Sequence, residues 1–159
     1  MSLIVELSVL MPVVLITISF LLPIFHHYRL GHVLSISLGV VSYTVAAAGV
    51  LVYRVITRGP IIYHFGNWSP PWGIEFVISE FEAFMILLVA VSYLLVFIYS
   101  YSFLNREIKK NVVHWYYILL FLLQASLVGM IATNDLFNFF VFIEICAIAS
   151  VAIISLKDD

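Results

Sequence analysis

One acidic side chain falls where a membrane protein seldom keeps one. Glu144 is the single charge in the run from Leu136 to Leu156, and about twenty apolar residues rising 1.5 Å each are enough to cross roughly 30 Å of hydrocarbon. An ionised carboxylate at the centre of a lipid-facing helix costs about 2.5–3.5 kcal/mol on insertion scales, so such a group normally faces protein or water and marks a functional site by default. Desolvation favours the neutral acid and a nearby lysine favours the anion. A carboxyl held between the two can load and release a proton, which is what a relay requires. The plainer reading is a neutral Glu144 that hydrogen-bonds helices together.

Other polar residues form a possible supporting set. Asn134 and Asp135 barely separate two apolar runs, which predicts an antiparallel helical hairpin. Gln124 and Glu144 are equally far from Asn134, and ten helical residues rise about 15 Å, close to mid-membrane. Gln124, or a water bound near it, is therefore expected to meet Glu144. Ser126, Gly129 and Thr133 follow i, i+3, i+7 spacing, and Ala147 and Val151 continue the Glu144 face, so small residues would let the helices approach closely. Ordinary helix packing explains these small residues as well. Asp135 is expected to cap the last helix, with the outer mouth of a proton path as a second reading. Glu80 and Glu82 open a helix at its hydrated, positive end. His26, His27, His32, His64 and His114 lie near membrane edges without a paired metal-ligand spacing, and Cys146 has no second cysteine to pair with. No phosphate-binding glycine loop, nucleophile triad or cofactor ligand is legible, which points to transport and away from chemical catalysis.

These residues need long apolar elements to position them. With 64% hydrophobic and 10% charged residues, the chain lies far outside soluble composition and has no basic stripe for nucleic acid. It reads as one all-α integral membrane domain, 1–159, with transmembrane helices at about 7–25, 33–53, 83–104, 112–133 and 136–156. Pro12 is expected to kink the first, which carries Glu6, lacks a basic leader and cleavage pattern, and reads as a retained helix. The loop 57–79 holds Gly59-Pro60, Gly66-Asn67, Pro70-Pro71 and Gly73 around two β-branched, aromatic runs, Ile61 to Phe65 and Ile74 to Ile78. A short β-hairpin on the membrane face follows. Arg29, Arg106, Lys109, Lys110 and Lys157 on one side, against Arg54 and Arg58 on the other, place the N-terminus outside and the C-terminus in the cytoplasm. Tyr99, Tyr101, Trp115, Tyr116 and Tyr117 bracket a cytoplasmic link as an interfacial belt.

The run from Gly129 through Thr133-Asn134-Asp135-Leu136-Phe137-Asn138 to Glu144-Ile145 resembles the fourth-to-fifth helix signature of proton-translocating antiporter-like membrane subunits. These occur in Mrp-type sodium/proton antiporters, respiratory complex I and membrane-bound hydrogenases. Tyr63-His64-Phe65-Gly66-Asn67-Trp68 with Gly73-Ile74-Glu75-Phe76 is similar to the same family, nearest to the D-type component of Mrp antiporters. The resemblance implies that Glu144 is the essential fifth-helix glutamate. It would pair with a lysine on a later helix and transfer protons coupled to cation exchange or redox chemistry. It also implies about fourteen helices in two inverted repeats, so this sequence matches only the N-terminal part. The mid-membrane lysine is absent, since Lys109, Lys110 and Lys157 fall at an edge. Where relatives often carry an Asp before the third span, this chain has Ser79. The expected partners are therefore other membrane subunits, one supplying the remaining helices and the lysine, with no cofactor in this chain. The alternative is a structural or assembly subunit without its own conduction path.

Overall fold

The computed structural model describes residues 3–26, 30–68, 70–107 and 112–156. Its helices are α1 (Leu3–Val9), α2 (Met11–His26), α3 (Leu30–Arg58), α4 (Glu80–Glu107), α5 (Val113–Ala132) and α6 (Leu136–Ser155). Strands β1 (Ile61–His64) and β2 (Glu75–Ile78) form a hairpin between α3 and α4. Helices α3, α4, α5 and α6 each contain a stretch long and apolar enough to cross a membrane. The expected first span appears as α1 and α2, broken at Leu10. Pro12 has no N–H to offer the carbonyl of Ser8, so the helical ladder loses one rung there. Intact bonds flank the gap, from Leu10 N–H to Glu6 O at 2.9 Å and from Val14 N–H to Leu10 O at 3.0 Å. Alone, α2 has 16 residues, fewer than the roughly twenty of a full span.

Helix α5 is central, packing on α2, α4 and α6. It buries Tyr117, Phe121, Gln124, Ala125 and Val128 among its neighbours. Helix α3 packs against α1, α2 and α4, while α6 packs principally on α5 and leaves most of its surface bare. His27, Arg29, Lys109, Lys110, Lys157, Asp158 and Asp159 lie outside the described residues, so the orientation expected from the basic residues rests on the sequence.

The expected hairpin is present. β1 and β2 pair antiparallel with Ile61 opposite Ile78 and His64 opposite Glu75. Period-2 alternation buries Ile61, Phe76 and Ile78 and exposes Ile62. Gly59, at φ 80°, ends α3 in the left-handed conformation that glycine adopts without a Cβ penalty. Its N–H donates to Val55 O at 2.9 Å, and Arg54 Nη1 donates to Gly59 O at 3.2 Å. Gly73 is required for a different reason: a Cβ there would stand 2.2 Å from Trp68 O. At the start of α4, Glu82 accepts hydrogen bonds from both the Ser79 N–H, at 2.9 Å, and the Ser79 hydroxyl. The sequence Ser79-Glu80-Phe81-Glu82 has the spacing of a capping box, with Ser79 at the N-cap and Glu82 at N3, and Glu82 makes the half of it that reaches back to the N-cap N–H. This cap explains Glu82 more specifically than the helix dipole does.

Candidate functional site

The α5–α6 turn positions every candidate residue. Helix α5 ends with Thr133 N–H donating to Gly129 O at 3.0 Å, after which the backbone extends through Thr133 and Asp135. Asp135 is the N-cap of α6: its Oδ1 accepts from Asn138 N–H at 2.6 Å. Thr133 Oγ1 accepts from Asp135 N–H at 3.3 Å and from Asn138 Nδ2 at 3.0 Å. These bonds satisfy donors that a helix N-terminus otherwise leaves unpaired. Asp135 thus does the capping expected of it, and Thr133 belongs to the same network. Asn138 was not among the sequence candidates; its signal was an amide at N3 of an otherwise apolar run.

The turn is also tied to the hairpin. Asn134 N–H donates to Glu75 O at 3.0 Å, and Phe76 bridges Thr133. Across the strands His64 Nε2 lies 3.6 Å from Glu75 Oε2. An open cleft of about 240 Å³ lies beside the turn, lined by Thr133, Asn134, Asp135, Leu136 and Phe139.

One contact sets the rotation of α6 on α5. The Phe142 ring, 6% exposed, lies against Gly129 so closely that a Cβ there would be 2.3 Å from Cζ. Gln124 is five residues before Gly129, about 140° around a helix of 3.6 residues per turn. Glu144 is two residues beyond Phe142, about 200° around α6. Gln124 therefore faces away from α6, and Glu144 faces away from α5. The hairpin places the two at similar depth, within about one turn, but does not bring them together.

The side chains agree with this phase. Gln124 is 0% exposed, and its Nε2 donates to Thr44 Oγ1 of α3 at 3.2 Å. Ser126 turns its hydroxyl back onto Leu123 O at 2.8 Å. Glu144 is exposed on the outer surface of α6 and has no hydrogen-bond or ion-pair partner among the described residues. Phe137, Phe140, Val141, Ile148 and Val151 are exposed around it. Their spacing from Glu144, at −7, −4, −3, +4 and +7, makes one helical stripe with a single carboxyl at its middle. Among the described residues no group of three His, Cys, Asp or Glu side chains is placed to hold a metal ion.

No family model matches the chain. Over 126 residues it is 37% identical to the N-type component of the NADH-quinone oxidoreductase of Desulforudis audaxviator, covering 79% of this chain and 24% of that protein. It is 30% identical to the D-type component of the Na(+)/H(+) antiporter of Bacillus subtilis over 148 residues, 93% of this chain and 29% of the relative. Among solved structures, a chain of the archaeal membrane-bound sulfane sulfur reductase, a respiratory membrane complex, superposes with a TM-score of 0.83 at 30% identity, covering 95% of this chain and 30% of that one. The chain thus spans 24–30% of the length of these proteins.

Proposed function

Because the chain is a relative of the antiporter-like membrane subunits in both sequence and fold, we propose that it is a membrane component of a multisubunit ion-translocating assembly. The assembly is of the Mrp cation/proton antiporter type or of the complex-I-like, hydrogenase-linked type. Glu144 is its proton-carrying group. The observation that carries this reading is the carboxyl at the centre of the bare α6 face, ringed by Phe140, Val141 and Ile148. Left against hydrocarbon, a charged group at that depth opposes insertion, so the face is suited to another protein surface that brings a cation. A helix outside the residues described here, seated on the stripe with a lysine at the height of Glu144, supplies that counter-charge and completes a proton path.

This chain's own part is mechanical as well as electrostatic. The Asp135 cap and the Gly129–Phe142 contact fix the start and rotation of α6, and so fix where Glu144 points. A proton arriving at Glu144 neutralises it and weakens the attraction to the lysine; its departure restores the pair. The chain functions in the cell membrane with its N-terminus outside and its C-terminus in the cytoplasm, as the basic residues of its links suggest.

The test is cation/proton exchange, or redox-linked proton pumping, by the assembled complex in sealed vesicles. Glu144→Gln keeps the shape and removes the titration, and is expected to abolish proton movement without lowering the amount of complex. Undiminished exchange would refute the role. The second reading, an assembly subunit, is favoured by the breadth of the bare α6 face. It predicts that Glu144→Gln leaves transport intact, whereas Ile148→Arg or Val151→Arg on the same face prevents the complex from forming.

A further inference from the structure

The loop at the tip of the β1–β2 hairpin presents two tryptophans to its surroundings. Trp72 is 85% exposed and Trp68 66%, and the sequence between His64 and Glu75 holds no ionisable side chain. Both indoles line an open groove of about 460 Å³ together with Phe65, Gly73 and Ile74. The loop is built to hold them out. Phe65 N–H donates to Ile74 O at 3.0 Å and Trp68 N–H to Phe65 O at 3.3 Å, while the Phe65 ring packs edge-on against buried Phe76 with centroids 4.8 Å apart.

The ends of the helices set the height of this loop. The apolar stretch of α4 runs from Glu80 to Ser100, with exposed aromatic rings near each end, Phe81 and Tyr99. The helix between these two rings rises about 27 Å, close to the roughly 30 Å of a hydrocarbon core. The membrane boundary therefore lies at the start of α4, where β2 enters it. From there β2 runs to the α5–α6 turn, where Glu75 O accepts from Asn134 N–H and Phe76 bridges Thr133. Three extended residues reach about 10 Å, the spacing of neighbouring helix axes. The strand thus lies flat across the helix ends, and the loop continues past them at the depth of the lipid headgroups. Two bare indoles with no charge between them make a poor surface for water. They suit the interface, where the ring meets acyl chains and the N–H meets headgroup oxygens.

We propose that the loop from Gly66 to Ile74 is a membrane anchor, laid in the headgroup layer of the leaflet on the hairpin side, with a phospholipid occupying the groove lined by Trp68 and Trp72. The occupant is lipid because the bilayer reaches this height along the helix ends that carry the hairpin, where Tyr53 and Ile56 of α3 and Phe81 and Phe84 of α4 are exposed. The anchor does not depend on the role given to Glu144.

The test uses the assembled complex in lipid nanodiscs, with the photoreactive p-benzoylphenylalanine replacing one indole at a time. An aromatic replacement at so exposed a position leaves the fold intact. Irradiation of Trp72→p-benzoylphenylalanine, and separately of Trp68→p-benzoylphenylalanine, is expected to add the mass of a phospholipid to the loop peptide. An adduct to a protein would overturn the anchor by showing that a neighbouring surface covers the loop, and no adduct would overturn it by showing that the loop stands in water. Hydroxyl-radical footprinting of the unsubstituted complex asks the same question without a variant. Both indoles are expected to be oxidised several-fold more slowly in nanodiscs than in the unfolded chain, and equal rates would contradict the proposal.

Discussion

Replacing Gly129 by alanine adds one methyl group where Phe142 of α6 lies directly against α5. The new Cβ would lie 2.3, 2.4 and 2.5 Å from the Phe142 atoms Cζ, Cε1 and Cε2, where ordinary contact begins at 3.4 Å. The ring must therefore retreat by roughly 1 Å, against surroundings packed like an organic crystal. Overpacking of this kind costs about 1–3 kcal/mol. Alanine is favoured over glycine in a helix interior by about 0.8–1.0 kcal/mol, which offsets part of the cost. The net expectation is a loss of about 0–2 kcal/mol, a range too close to zero for the single variant to decide. The double-mutant cycle with Phe142→Ala is decisive, because without the ring only the propensity gain remains. Reversible unfolding in mixed micelles should then show Gly129→Ala stabilising the Phe142→Ala background by about 1 kcal/mol, a coupling of about 1–3 kcal/mol between the sites. Equal effects in both backgrounds would refute the packing argument, and with it the rotational phase that turns Glu144 away from α5.

Three further perturbations probe the supports of the site. Asp135→Ala removes the α6 N-cap and should cost about 1 kcal/mol with faster exchange of the Asn138 amide, while Asp135→Asn, also a good cap, should change stability by only a few tenths. Glu82→Ala frees the Ser79 N–H at the start of α4; hydrogen exchange there should accelerate, with a stability loss of about 1 kcal/mol. Gly73→Ala sets a Cβ against the backbone of Trp68, which no rotamer change relieves, so the loop must rearrange, with a changed tryptophan emission spectrum as the readout.

The features legible in the sequence are those written in backbone chemistry. Gly59-Pro60, Gly66-Asn67 and Gly73 mark the loop, and the β-branched runs between them became β1 and β2 within a residue of the expected limits. Asn134 and Asp135 announced the turn, and Asp135 its cap. Pro12 announced the break at Leu10. Hydropathy found the spans but underestimated α3 and α4, which continue into polar residues as far as Arg58 and Glu107. Rotation about the helix axes was only partly legible. In a soluble helix the polar face identifies the outside, but in lipid both faces are apolar and small residues are the remaining guide: Gly129 does meet α6, whereas Ser126 turns back onto Leu123 O and Ala147 and Val151 lie exposed. Equal distance from the turn suggested that Gln124 meets Glu144. The close approach of Gly129 to Phe142 sends them to opposite sides. The same limit hid Thr44, eighty residues away in sequence, as the partner of Gln124.

The proton exchange proposed for the Glu144 carboxyl, opposite a cation on a helix packed against α6, has a direct spectroscopic signature. Infrared difference spectroscopy of the assembled complex, recorded as the driving ion gradient or electron donor is applied, reads that event directly. A protonated-carboxyl band that appears and decays with turnover, and vanishes in Glu144→Gln while the complex stays intact, is the predicted result. A spectrum identical in the two proteins would exclude Glu144 as the proton carrier.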